Sequence, residues 1–71
     1  MSKPNVYDKL LSEAKIRIGR ADIFSKGKTA TIEMKEARDI LMSNGYDLSA
    51  VNKFNEELNR FVAVEMSGYA Q

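Results

Sequence analysis

Apolar residues recur with helical spacing in the first third of the chain. Between Pro4 and residue 24, six of them lie three or four positions apart and share one side of a helix, namely Tyr7, Leu10, Leu11, Ala14, Ile18 and Ala21. An apolar stripe of this width is typical of an amphipathic helix that packs on a core. Pro4 also suits the first position of a helix, because the N–H that proline lacks has no intrahelical partner there. The pattern therefore predicts a first helix over 4–24.

Two apolar residues in this segment, Ile16 and Ile23, point away from the stripe and leave a second interpretation open. Residues 15–20 and 29–34 each alternate apolar and polar positions, which is the period of a β-strand. They would pair as a hairpin across a turn near 25–28 and produce an α+β fold. The preferred prediction is a helix through Phe24 in which Ile16 and Ile23 make a second apolar contact.

A break and a second helix follow. Residues 25–29 read Ser-Lys-Gly-Lys-Thr and predict a loop with Gly27 as its turn residue. Thr31 is a favourable N-cap. The pair Asn44–Gly45 is typical of a helix end, where a residue with positive φ is needed. These signals predict a second helix over 31–44.

The third helix has the clearest pattern and is predicted over 48–65, with Asp47 or Ser49 as its N-cap. Its apolar face consists of Val51, Phe54, Leu58, Phe61 and Val62. Glu65 falls on the same face, so we expect core packing to end near Val62 and the residues from Glu65 onward to fray. Together the elements predict an all-α fold, a three-helix arrangement with short loops.

Length and composition narrow the possible functions. The chain has 71 residues, which is room for one domain spanning 1–71, and it contains neither cysteine nor histidine. Disulfides and the usual zinc sites are therefore excluded as means of stabilising so small a core. The most frequent general base and the thiol nucleophile are missing as well. We predict a non-enzymatic protein that gains stability from a well-packed core, from self-association or from folding on a partner.

No cofactor, metal or catalytic site is predicted. The segment Asp22–Thr29 ends like a phosphate-binding loop, but Asp22 stands where the first glycine belongs and places negative charge where a phosphate would approach. Acidic pairs at 33/36 and 56/57 lie on helix surfaces, whereas two-carboxylate catalysis needs carboxylates that face each other across a cleft.

Charge is distributed unevenly along the chain. Residues 1–28 carry seven basic and three acidic side chains, and residues 29–71 carry four basic and seven acidic ones. The two halves either complement each other when packed, or the basic half faces a nucleic acid or an acidic protein surface. The residues predicted for such a contact are Lys15, Arg17, Arg20, Lys26 and Lys28.

A second signal for nucleic-acid binding lies within residues 34–62. Gly45 is followed six positions later by Val51 and three positions after that by Phe54. This spacing resembles the helix-turn-helix family of DNA-binding domains, and the resemblance implies that the third helix reads the major groove. A simple helical hairpin accounts for the same residues, and the exposed side of the third helix has little positive charge for phosphate contacts.

Apolar residues outside the three stripes indicate a partner surface. Ile16, Ile23, Val64 and Met66 lie off the stripes, and clustered apolar surface residues mark contacts with other chains. The residues predicted to bind a partner are Ile16, Ile23, Phe24, Met66 and Tyr69.

The function predicted from these features is a small protein–protein interaction module with a regulatory or accessory role. It is expected to act as a homodimer or docked on a larger target. The alternative is a nucleic-acid-binding regulator that uses residues 15–28, with or without the helix-turn-helix-like element. No signal peptide or membrane span is visible, so the expected location is cytoplasmic. A phage or plasmid origin would suit a stand-alone protein of this size, although no motif indicates one.

Overall fold

A computed structural model describes residues 5–68, and this part of the chain contains three helices and no strand. Helix α1 spans Val6–Arg20, α2 spans Lys26–Ser43, and α3 spans Leu48–Ser67. The prediction of an all-α three-helix arrangement is confirmed. The alternative hairpin is wrong, because its first strand is the last part of α1 and its second lies inside α2.

Helix α1 begins one residue after its cap. The Asn5 side chain accepts a hydrogen bond from the Tyr7 N–H at 2.8 Å and so caps the first turn. The helix ends at Arg20, four residues before the predicted end, because Ala21 adopts an extended conformation with φ −72° and ψ 150°. The predicted start at Pro4 lies outside the described residues.

Helix α2 begins earlier than predicted, at Lys26. The predicted loop at 25–29 and the predicted N-cap at Thr31 are therefore wrong. Gly27 lies within the helix, and the Thr31 hydroxyl donates a hydrogen bond to the Gly27 carbonyl at 3.0 Å, the back-bonding that threonine makes inside helices. The chain break lies instead at residues 21–25.

The α2–α3 connection follows the predicted chemistry. Gly45 has φ 85°, the conformation expected just past a helix end. The Asp47 side chain accepts from the Ala50 N–H at 3.0 Å and is the N-cap of α3. Helix α3 continues to Ser67, past the predicted end, and Glu65 does not fray, because its carboxylate accepts a hydrogen bond from Lys26.

The core lies where the three helices meet, and each helix packs against the other two. It consists of nine buried apolar residues, Leu11, Ala14, Ile18, Ala30, Ala37, Leu41, Val51, Phe54 and Leu58. The Phe54 ring meets the Tyr7 ring edge to face, with centroids 5.5 Å apart. Three of the nine are alanines, whose small side chains let the helices approach closely.

Candidate functional site

The turn between α1 and α2, which we call the Phe24 turn (residues 21–25), holds a phenylalanine out in solvent. The Phe24 side chain is 94% exposed. The Asp22 Oδ1 atom accepts hydrogen bonds from the N–H groups of Phe24 and Ser25, each at 3.0 Å. The Ser25 N–H also lies 3.0 Å from the Asp22 carbonyl oxygen. These bonds fix the backbone of the turn, so Phe24 is presented by an ordered segment.

The basic residues of segment 15–28 separate into engaged and exposed groups. Arg17 donates from Nε to Glu33 Oε2 at 2.9 Å and lies 4.0 Å from Glu13. Arg20 and Lys28, on either side of the Phe24 turn in sequence, are exposed. Within residues 5–68, no carboxylate lies within 4.0 Å of either one. The exposed pair gives the surroundings of the turn a positive charge.

Lys26 does not belong to this exposed basic surface, contrary to the sequence prediction. Its side chain is 2% exposed, and its Nζ donates to the carbonyl oxygens of Ile18 at 3.0 Å and Gly19 at 3.2 Å. The same Nζ lies 3.4 Å from Glu65 Oε1. Carbonyls at a helix C-terminus lack intrahelical donors and carry the negative end of the helix dipole, which stabilises a lysine there. Lys26 thereby joins the ends of all three helices, and we call this set the Lys26 cluster.

A groove of about 250 Å³ lies between α1 and α3. It is lined by Lys15 from α1 and by four residues from α3, namely Glu57, Arg60, Phe61 and Val64. The α3 residues are spaced i, i+3, i+4 and i+7, so they share one side of the helix. The Lys15 Nζ stands 5.8 Å from the centroid of the Phe61 ring, within range of a cation–π interaction. We call this feature the α1–α3 groove.

Tyr7 fixes the Glu57 side chain at the wall of the groove. The Tyr7 hydroxyl donates a hydrogen bond to Glu57 Oε2. Burial of the Tyr7 hydroxyl, reinforced by this hydrogen bond and by the negative charge of Glu57, raises the pKa of Tyr7 above its ordinary value. The neutral hydroxyl is therefore favoured in the folded chain and keeps donating to Glu57 through the neutral pH range.

The residues predicted to bind a partner are distributed over three places. Ile23 and Phe24 are neighbours in the turn, where Ile23 is half-buried. Ile16 is 51% exposed on the outer side of α1, and Met66 is 40% exposed near the end of α3. Tyr69 lies outside the described residues.

The groove was only partly visible in the sequence. Phe61 belongs to the predicted core stripe of α3, yet it is half-buried and lines the groove. Val64 was the residue whose position indicated an apolar surface here, because it lies outside the predicted apolar face of α3, and it is 64% exposed. Met66 is two residues further on and about 200° around the helix, so it faces away from the groove.

The helix-turn-helix-like element forms a helical hairpin with little positive charge on its outer side. The exposed residues of α3 there include Asn52, Lys53, Glu56, Asn59 and Arg60. This set holds two basic residues and one acidic residue, whereas DNA affinity depends largely on the neutralisation of phosphates. Packing of α2 on α3 accounts for the hairpin.

Two further findings concern the described residues alone. Within 5–68, no group of three or more histidine, cysteine, aspartate or glutamate residues is placed to hold a metal ion. In the same part of the chain, none of the three helices combines the length and the apolar character needed to cross a membrane.

Comparison of the chain with models of known protein families, with curated proteins and with solved structures finds no match.

Proposed function

We propose that this chain is a protein–protein interaction module without enzymatic activity. Its role is regulatory or accessory, and it acts either as a homodimer or docked on a larger target. The contact that carries the proposal is the Phe24 turn, whose phenylalanine is 94% exposed on a hydrogen-bonded segment.

The physical argument rests on the cost of leaving this side chain in water. Transfer of a phenylalanine side chain from water into an apolar site stabilises a complex by about 1.5–3 kcal/mol. The Asp22 hydrogen bonds order the turn before binding, so little backbone entropy remains to be lost on association. Aromatic anchors of this kind dominate the energetics of protein interfaces. Arg20 and Lys28 beside the turn favour a receiving pocket with acidic residues at its rim.

Nucleic-acid binding through residues 15–28 has less support. Two of the five basic residues, Arg17 and Lys26, have carboxylate partners within the chain. Three basic side chains remain, and such a small number supplies little of the counterion release that drives phosphate binding. A mobility-shift assay at about 50 mM salt tests this alternative, and binding that weakens steeply with added salt would favour it over the proposal.

The proposed function is tested with three baits, namely the wild-type chain, Phe24→Ser and Leu48→Ser. Leu48 is the matched control, because it is also an exposed apolar residue, at 55%, and lies at the start of α3. Proteins are captured from extracts of cells that express the chain naturally, and light scattering measures the mass of each purified variant.

We expect Phe24→Ser to lose a captured protein, or a dimer, that the wild-type chain and Leu48→Ser both retain. The expected loss of affinity is about thirtyfold or more, because truncation of a buried aromatic anchor costs about 2 kcal/mol or more of binding free energy. The same captured proteins and the same molecular mass for all three variants would refute the proposal.

A further inference from the structure

The α1–α3 groove is a second surface, separate from the Phe24 turn, with apolar and basic residues along two helices. Its apolar lining on α3 consists of half-buried Phe61 and of Val64, which is 64% exposed. On α1 the groove is lined by Lys15. A channel between two helices is the shape that receives a third helix from a partner.

The groove lining carries two cations, Lys15 and Arg60, and one carboxylate, Glu57, so its net charge is positive. Within residues 5–68, only Arg17 and Lys26 have a carboxylate within 4.0 Å, so Lys15 and Arg60 stand at the groove without one. Glu57, the acidic residue among the described residues of the lining, has its carboxylate held in place by the Tyr7 hydroxyl hydrogen bond. Helix-borne carboxylates of a ligand would complement the two cations while its apolar residues cover Phe61 and Val64.

We infer that the α1–α3 groove binds an amphipathic helix of a protein partner, with carboxylates flanking the apolar stripe of that helix. This inference rests on the proposed function insofar as the ligand is a protein, but it concerns a different surface. The lining residues of α3 span seven positions, which is about 10 Å of helix. The bound segment therefore carries apolar residues at spacings of three and four over about two turns.

A second copy of the chain is a less suitable occupant. The outer side of α2 carries Ile32 and Ile40, 46% and 42% exposed, together with exposed Glu36 and Asp39. This side offers similar chemistry, but α2 packs against both other helices and its outer side faces away from the groove. A contact between α2 of one copy and the groove of the next joins two different surfaces, so it builds rings or open chains rather than a two-fold dimer.

The inference is tested by selection of binders from a displayed library of random peptides, with four forms of the chain as targets. These are the wild-type chain, Val64→Asp, the double variant Lys15→Glu with Arg60→Glu, and Phe24→Ser. Peptides enriched on the wild-type chain are synthesised, and their affinities are measured by fluorescence anisotropy. Circular dichroism checks that each form is folded, which is expected because Val64 and Arg60 are exposed and Lys15 is half-buried.

We expect enriched peptides to have apolar residues at helical spacing flanked by aspartate or glutamate. Val64→Asp should weaken the binding of these peptides about tenfold or more, because it puts a charge on the apolar lining of the groove. The double variant should weaken them likewise and should enrich lysine- and arginine-flanked peptides instead. Phe24→Ser should bind the peptides as tightly as the wild-type chain does. Peptide binding therefore tests the groove alone, and the capture experiment with Phe24→Ser tests the Phe24 contact.

Three results would overturn the inference. One is the absence of acidic flanks in the enriched peptides, and another is binding that is unchanged by Val64→Asp. The third is self-association of the wild-type chain with a mass that grows with concentration and reverts to monomer in both Ile40→Lys and Val64→Asp. That result would assign the groove to a second copy.

Discussion

At the scale of single residues, Lys26 is a charged side chain buried where the three helices meet. A lysine with 2% exposure normally costs a protein stability, because its charge leaves water. Here the cost is offset by two carbonyl acceptors at the end of α1 and by the nearby carboxylate of Glu65. Glu65 is only partly buried, so the ion pair itself contributes less than the carbonyl contacts do.

We predict that Lys26→Met lowers the free energy of unfolding by about 1–3 kcal/mol, because the Ile18 and Gly19 carbonyls lose a buried donor. Lys28→Met is the matched control, two residues further along α2 and exposed, and should change stability by less than about 0.5 kcal/mol. Urea unfolding followed by circular dichroism measures both. Equal effects of the two substitutions would mean that the Lys26 cluster contributes nothing to stability.

At the scale of elements, two glycines occupy opposite conformational situations at the ends of α2. Gly45 follows the helix with φ 85°, a region that L-residues rarely adopt. Gly27 lies in the first turn of the same helix, and a Cβ added there would meet nothing within 4 Å. The backbone conformation at Gly45 requires a glycine. Gly27 lowers the stability of the helix, and no close contact requires a glycine there.

Alanine substitutions at Gly45 and Gly27 should therefore change the stability of the chain in opposite directions. Gly45→Ala is expected to destabilise the chain by about 1 kcal/mol, because alanine is strained at positive φ. Gly27→Ala is expected to stabilise it by about 0.5 kcal/mol, because alanine is the better helix former. Thermal unfolding of both variants beside the wild-type chain measures the shifts. Destabilisation by Gly27→Ala would argue that residues 25–29 form the loop that their composition suggests.

At the scale of the whole molecule, polar contacts tie the helices together at two ends of the bundle. The Lys26 cluster joins α1, α2 and α3 beside the Phe24 turn. At the other end, the Tyr7 hydroxyl donates to Glu57 of α3, and the Tyr46 hydroxyl donates to Asn5 Oδ1 at 2.6 Å. The Lys26–Glu65, Tyr7–Glu57 and Tyr46–Asn5 contacts connect residues 39, 50 and 41 positions apart, so each of the three forms only when the helices are assembled.

The Tyr7 contact predicts a loss of global stability at alkaline pH. Tyrosine in the unfolded chain has a pKa of about 10, and folding raises the pKa of Tyr7. Below the unfolded value both states hold the proton, so the contribution of Tyr7 is constant. Above it the unfolded state loses the proton first, and stability falls by up to about 1.4 kcal/mol per pH unit.

Urea unfolding of the wild-type chain and of Tyr7→Phe between about pH 8 and about pH 11 tests this linkage. Tyr7→Phe should make the fall of the unfolding free energy with rising pH less steep, by an amount that corresponds to at most one proton. Tyr46→Phe is the control, because it leaves the Tyr7–Glu57 hydrogen bond in place and should retain the Tyr7 part of the slope. An identical slope in Tyr7→Phe and the wild-type chain would contradict the prediction.

Local chemistry was enough to predict three helices and the α2–α3 connection. The Asp47 cap, the positive φ of Gly45 and the apolar period from Val51 to Leu58 act within a few residues of each other. Each signal depends on backbone donors or on helical geometry nearby, and none needs a distant contact. The sequence alone therefore determined the fold class and the position of α3.

The α1–α2 junction and the groove were decided by the tertiary structure. In a sequence pattern, lysine counts as a polar residue at every position. Lys26 is buried only because Ile18, Gly19 and Glu65 from the two other helices supply acceptors for its Nζ. Phe61 belongs to an apolar stripe by its spacing, but α1 and α3 leave it half-buried beside Lys15. Periodicity assigns a residue to one side of its own helix, whereas its burial depends on how closely a neighbouring helix approaches that side.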